Sequence, residues 1–60
     1  MGEKIRAYRR SAGLTQRELA AALGLNPSAV ALWETGRAEP TVHNLRRLAD
    51  ILGCQPADLL

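Results

Sequence analysis

The stretch Gln16-Arg17-Glu18-Leu19-Ala20-Ala21-Ala22-Leu23-Gly24-Leu25-Asn26-Pro27-Ser28-Ala29-Val30-Ala31-Leu32-Trp33 decides the fold. It reads as two short helices joined by a tight turn. Leu19, Ala20 and Leu23 make the inner stripe of the first helix. The small side chain of Ala20 lets the second helix come close. Gly24 can take the left-handed conformation that a tight interhelical turn needs. Val30 and Trp33, three residues apart, pin the second helix to a core. This is the spacing of a helix-turn-helix, whose second helix can enter a DNA major groove. On spacing alone, a plain helical hairpin built with alanine and glycine fits as well.

Local signals extend this reading in both directions. Thr15-Gln16-Arg17-Glu18 is a capping box, so helix 2 starts at Thr15, and Gly24 ends it. Asn26 is a favoured N-cap and Pro27 suits the first helical position, so helix 3 runs over about 27–35, up to Gly36. Upstream, Ile5, Tyr8 and Ala12 share a face, which predicts helix 1 over 3–12 with Gly13 as its stop. Downstream, Pro40-Thr41 opens helix 4, and Leu45, Leu48, Ala49 and Leu52 repeat at helical spacing until Gly53. Gln55-Pro56 opens a last turn ending in Leu59 and Leu60. No segment alternates with the period of a strand, so the expected fold is all-α.

Composition narrows the functions. The chain has 60 residues, which predicts one domain over 1–60. A hydrophobic content of 47% is too high for a disordered tail. No apolar run is long enough for a membrane span, and the Met-Gly-Glu-Lys start precedes no apolar segment, so neither membrane insertion nor a signal peptide is expected. One cysteine, Cys54, excludes an internal disulfide and suits a reducing compartment, which points to the cytoplasm. One histidine, His43, cannot build a metal site with it, so no metal or cofactor is expected. An enzyme lacks parts: no nucleophile, base and orienting group can be assembled here. The net charge is +2, with the basic excess in residues 1–30, where Lys4, Arg6, Arg9, Arg10 and Arg17 outnumber Glu3 and Glu18. Such mild basicity is compatible with phosphate binding and equally with a solvated surface. A chain this small also needs dense helix packing, a partner, or both.

Longer motifs carry a resemblance. Gly13-Leu14-Thr15-Gln16, Glu18-Leu19-Ala20, Leu23-Gly24, Trp33-Glu34-Thr35-Gly36-Arg37, Pro40 and the Leu45-Leu48-Ala49-Leu52-Gly53 stripe together resemble the lambda-repressor/Cro-like (XRE) helix-turn-helix family, across about residues 3–60. The resemblance implies five helices, sequence-specific binding of double-stranded DNA, commonly as a homodimer, and transcriptional regulation. It also implies roles for individual residues. Gln16 matches a glutamine that contacts a DNA phosphate. Arg9 and Glu34 match a structural ion pair, with Arg9 able to lend a donor to phosphate. Thr35 and Arg37 match backbone-contact positions, and Asn26 is committed to capping or to phosphate. The base-reading positions fall on Pro27, Ser28 and Leu32, with Ala31 beside them. None of these is an Arg, Asn or Gln suited to bidentate readout, so apolar contact with thymine methyl groups is the expected mode. Lys4, Arg6 and Arg10 are expected on a solvated face, and His43 exposed. Tyr8 and Trp33 belong to the core, and Cys54 is a small packed hydrophobe. The two-fold interface is expected at the C-terminal segment, at Leu59 and Leu60, with Leu59 also closing the core.

The expected function is therefore a DNA-binding regulator, a repressor, that inserts helix 3 into the major groove of a near-palindromic operator. The rival reading is a protein-interaction module or antitoxin-type regulator using the same fold. The lack of long polar side chains on helix 3 favours that rival.

Overall fold

The computed structural model describes residues 1–60. Four helices follow in series: α1 (Gly2–Ser11), α2 (Gln16–Leu23), α3 (Pro27–Glu34) and α4 (Val42–Leu52). A 3-10 turn, Pro56–Leu59, follows them. The fifth helix of the expectation is this single turn. Its bonds run from the Asp58 N–H to the Gln55 carbonyl and from the Leu60 N–H to the Ala57 carbonyl, three residues apart. No helix is long and apolar enough to cross a membrane.

The helix boundaries have local causes. The Thr15 hydroxyl accepts a hydrogen bond from the Glu18 N–H at 3.0 Å, and the Glu18 carboxylate accepts from the Thr15 N–H at 2.9 Å. These two bonds start α2, and the Thr15 amide first, then the Thr15 hydroxyl beside the carboxylate, hold the exposed Glu18 carboxyl below its ordinary range. Gly24 ends α2 at φ +71°, and the chain reverses there into Asn26. Asn26 Oδ1 accepts from the Ser28 N–H at 3.0 Å and Pro27 takes the first turn of α3. Thr41 caps α4 through its hydroxyl, which accepts from the Asn44 N–H at 3.1 Å. α1 stops one residue earlier than expected. Ala12 is its cap residue, exposed, and does not join the inner face.

Every element contributes to one apolar core: Ile5 from α1, Leu19, Ala20 and Leu23 from α2, Val30 and Trp33 from α3, Leu48 and Ala49 from α4, and Leu59 from the 3-10 turn. Tyr8, Leu45, Leu52 and Cys54 pack against its edge, half-buried. Leu59 is 0% exposed. A side chain with no free surface cannot face a second subunit, so the expected interface role of Leu59 is corrected to core closure, and only Leu60 remains exposed. α4 is also fastened to α2 by Arg47. Its Nη1 donates to the Leu23 carbonyl at 2.8 Å, satisfying one of the acceptors left open at the end of α2.

A buried carboxylate ties α1, α2 and α3 together. The Glu34 side chain is 0% exposed. Its Oε2 accepts from Arg9 Nε at 2.6 Å. Its Oε1 accepts from Arg9 Nη2 at 3.1 Å, Gln16 Nε2 at 3.1 Å and Arg6 Nε at 3.2 Å. Arg9 Nη1 then donates to the Leu14 carbonyl at 2.9 Å, so all three of its nitrogens are engaged. Arg6 is thus not a purely solvated residue, as the helix-1 periodicity suggested. It lies three residues before Arg9, on the same side of α1, and reaches the same carboxylate. Burial pushes the Glu34 carboxyl up, but hydrogen bonds from Arg9, Gln16 and Arg6 and the Arg9 charge outweigh it and leave it below the ordinary range.

Two predictions follow from this packing. The folded-state pKa of Glu34 lies below the ordinary value of 4.5, so its contribution is complete above that value and is lost as pH falls through the lower folded value. Thermal unfolding across this range should show the loss. Glu34→Gln should lower the melting temperature at neutral pH, because an unmatched Arg9 charge costs about 3–5 kcal/mol when buried, and should flatten the acid decline. An unchanged melting temperature would refute the role given to the cluster. The second concerns the contact of α1 with the end of α3. A Cβ added at Gly2 would lie 2.5 Å from the Trp33 carbonyl oxygen and 2.6 Å from that of Glu34. Both are main-chain atoms that cannot swing aside, so Gly2→Ala should cost about 1–3 kcal/mol in denaturant unfolding.

Candidate nucleic-acid interface

The two sides of α3 differ in chemistry. Val30, Trp33 and Glu34 face inward. Pro27, Ser28 and Leu32 face solvent, and Ala31 is half-buried. Leu32 is 41% exposed, too much for a core residue. An open groove of about 330 Å³ runs along this side, lined by Ser28, Ala31, Leu32, Thr35 and Arg37. Three of the four expected base readers and two of the expected backbone contacts therefore share one surface. Pro27, at the first turn of α3, is exposed but does not line the groove.

Hydrogen bonding sets what each polar group there can still do. Ser28 Oγ donates to Asn26 Oδ1 at 3.0 Å. Its hydrogen is spent, so toward an outside group the hydroxyl is an acceptor. Asn26 Oδ1 takes both Ser28 bonds, leaving the Asn26 amide nitrogen as a donor. Thr35 Oγ1 donates to the Ala31 carbonyl at 3.0 Å and likewise keeps its acceptor capacity. The exposed Arg37 guanidinium engages no other side chain or carbonyl of the chain, and its charge stands at the rim of the groove.

Gln16 lies on α2 and is held differently. Its amide nitrogen donates to Glu34, which fixes the side chain at the first residue of α2. The amides of Gln16 and Arg17 have no partner within the helix, as the first turn of any helix requires, while those of Thr15 and Glu18 are taken by the capping box. Arg9 is buried and each of its three nitrogens donates within the chain, as the structural ion pair requires, leaving one N–H on each terminal nitrogen without a partner. His43 is exposed on the first turn of α4, beyond the groove lining. Sequence reasoning missed Arg6 and Arg47. The signal for Arg6 was its spacing from Arg9. Arg47 offered none beyond its place next to Leu48.

A second cleft, of about 470 Å³, lies among Tyr8, Asp50, Cys54 and Asp58 and holds none of the expected site residues. Burial, and then the Asp58 charge, push the Cys54 thiol up, which keeps it in the unreactive protonated form. No group of three or more His, Cys, Asp or Glu side chains converges anywhere in the fold.

Comparison with known proteins supplies the family. Residues 5–59 match the family model described as Helix-turn-helix. The HTH-type transcriptional regulator DicA of Escherichia coli is 43% identical over 60 residues, all of this chain and 44% of DicA. The repressor protein C2 of Salmonella phage P22 is 38% identical over 60 residues, which is 28% of that repressor. The chain thus spans less than half the length of these curated relatives. A crystal structure of the P22 c2 repressor in complex with a synthetic operator superposes with a TM-score of 0.93 at 37% identity, covering 98% of this chain and 89% of that one. Hydroxypropylphosphonic acid epoxidase from S. wedmorenis also superposes, with a TM-score of 0.89 at 34% identity. There the match covers 97% of this chain but only 31% of the epoxidase. With a family model matched over residues 5–59 and relatives of this kind along its whole length, the chain belongs to the lambda-repressor/Cro-like (XRE) helix-turn-helix family.

Proposed function

We propose that this chain is the DNA-binding unit of a transcriptional regulator, a repressor that acts by occupying an operator. The observation that carries the reading is the groove of α3, where apolar side chains, a hydroxyl acceptor and an arginine meet on one exposed surface. Relatives named as a transcriptional regulator and a repressor, and a neighbour solved with an operator, support it. In this reading α3 enters the major groove. Gln16, the Asn26 amide, Thr35 and Arg37 meet the sugar-phosphate backbone and set the register. Leu32 and Ala31, with Pro27 at the leading end, meet thymine methyl groups. Ser28, as an acceptor, takes a hydrogen bond from the amino group of adenine or cytosine. The chain works as a homodimer on DNA, with Leu60 at the two-fold contact, and in the cytoplasm, the compartment its free cysteine suits. It performs no catalysis of its own and needs no cofactor.

A second reading is a protein-interaction module or antitoxin-type regulator. The exposed Leu32 and the lack of Arg, Asn or Gln on the outer side of α3 favour it. The two separate experimentally, because several phosphate contacts force a steep salt dependence and a protein partner does not.

Selection of bound duplexes from a randomised library at physiological salt should enrich a near-palindrome with A·T pairs where α3 enters. No enrichment by the folded chain would defeat specific DNA binding by these residues. On the enriched duplex, Leu32→Glu should abolish binding by placing a carboxylate in the groove. Ser28→Ala should relax the preference at one base position, by the roughly 1 kcal/mol of a single hydrogen bond.

A further inference from the structure

Arg6 is the one cation of α1 that is both held and open. Only its Nε is engaged, on Glu34 Oε1 at 3.2 Å, and its side chain is 42% exposed. The Glu34 charge is already matched by Arg9, which binds both carboxylate oxygens, and no other carboxylate pairs with Arg6. The cluster therefore carries one uncompensated positive charge, and it sits at Arg6. Gln16 Nε2 donates to the same oxygen at 3.1 Å. The guanidinium and the Gln16 amide are thus separated by no more than two hydrogen-bond lengths. Both present unused N–H groups: the two terminal nitrogens of Arg6 and the second hydrogen of the Gln16 amide.

We propose that Arg6 binds a DNA backbone phosphate together with Gln16, the two donors being set side by side by their common acceptor on Glu34. The inference rests on the DNA-binding reading above. Tethering at Nε removes much of the rotamer freedom that an exposed arginine loses on binding. It also leaves the two terminal nitrogens of a 42% exposed side chain without partners, and such a pair suits the oxygens of a phosphate. Lys4 and Arg10, exposed on the same helix, have no such tether.

The test is the salt dependence of binding to a mixed-sequence duplex of about 20 base pairs, followed by fluorescence anisotropy between about 50 and 200 mM salt. A phosphate contact is independent of sequence, so no operator is needed. Arg6→Gln, which can still donate to Glu34, should reduce the slope of log K against log salt by about 0.9, the value of one phosphate contact. Arg6→Lys should restore the slope. Melting temperatures taken alongside show that each variant is folded, and Arg6→Ala provides a second charge deletion should Arg6→Gln unfold. Arg10→Gln removes the same charge from an untethered position and should leave the slope nearly unchanged. A wild-type slope in folded Arg6→Gln overturns the proposal and leaves the DNA-binding reading standing. An equal change in Arg10→Gln overturns it too, because net charge alone would then account for the effect. No salt-dependent binding by the unsubstituted chain overturns both.

Discussion

The Glu34 carboxylate has been taken out of water, and the approach of α1 to the α2–α3 unit is the means by which its loss of hydration is made good. Two guanidiniums and an amide from two other helices must reach it at once. That requirement fixes the rotation of α1 about its axis, the first residue of α2 and the last residue of α3 in one arrangement. Hydrophobic burial supplies most of the driving force for a core of this kind, but it is non-directional. Leucines slide over one another with small penalties, whereas four hydrogen bonds on one carboxylate tolerate little displacement. The close passage of α1 over the end of α3, where a glycine stands at residue 2, is the steric counterpart of this constraint.

The same carboxylate joins stability to the candidate site. Gln16 belongs to the helix that precedes α3, and its amide is oriented by a residue in the last turn of α3 itself. The two helices are therefore related by a polar contact as well as by the packing of Ala20, Leu23 and Val30. Arg47 adds a third fastening from α4 onto the end of α2. The surface presented to a ligand is thus carried on short helices braced at both ends, which suits recognition by a preorganised shape.

Much of this was legible in the residues. Thr15-Gln16-Arg17-Glu18, Asn26-Pro27 and Gly24 each signal a backbone event through a local hydrogen bond or a φ preference, and each lies where expected. The spacing of Leu19, Ala20, Leu23, Val30 and Trp33 reports burial, and all five are buried. What was illegible depends on contacts between residues distant in the chain. Arg6 looks like any surface arginine until Glu34, twenty-eight residues away, is seen beside it. Leu59 could not be divided between core and interface by pattern, because an apolar residue near a chain end satisfies either; only its complete burial decides. The hydrogen of Ser28 was likewise invisible, since its direction depends on the rotamer of Asn26.

The division of α3 into an inward side and an outward side has a consequence for how such a chain can change over time. Val30, Trp33 and Glu34 carry the fold, while the side chains of Ser28 and Leu32 lie outside the buried core, Ser28 bonding only to the cap residue Asn26. Changes at exposed positions that share no partners with the core are close to additive with it and small in stability. The outer residues are therefore free to drift, be exchanged or be redesigned in sets without loss of the scaffold. New targets are reachable by single steps through folded intermediates, which makes the architecture readily adaptable by evolution.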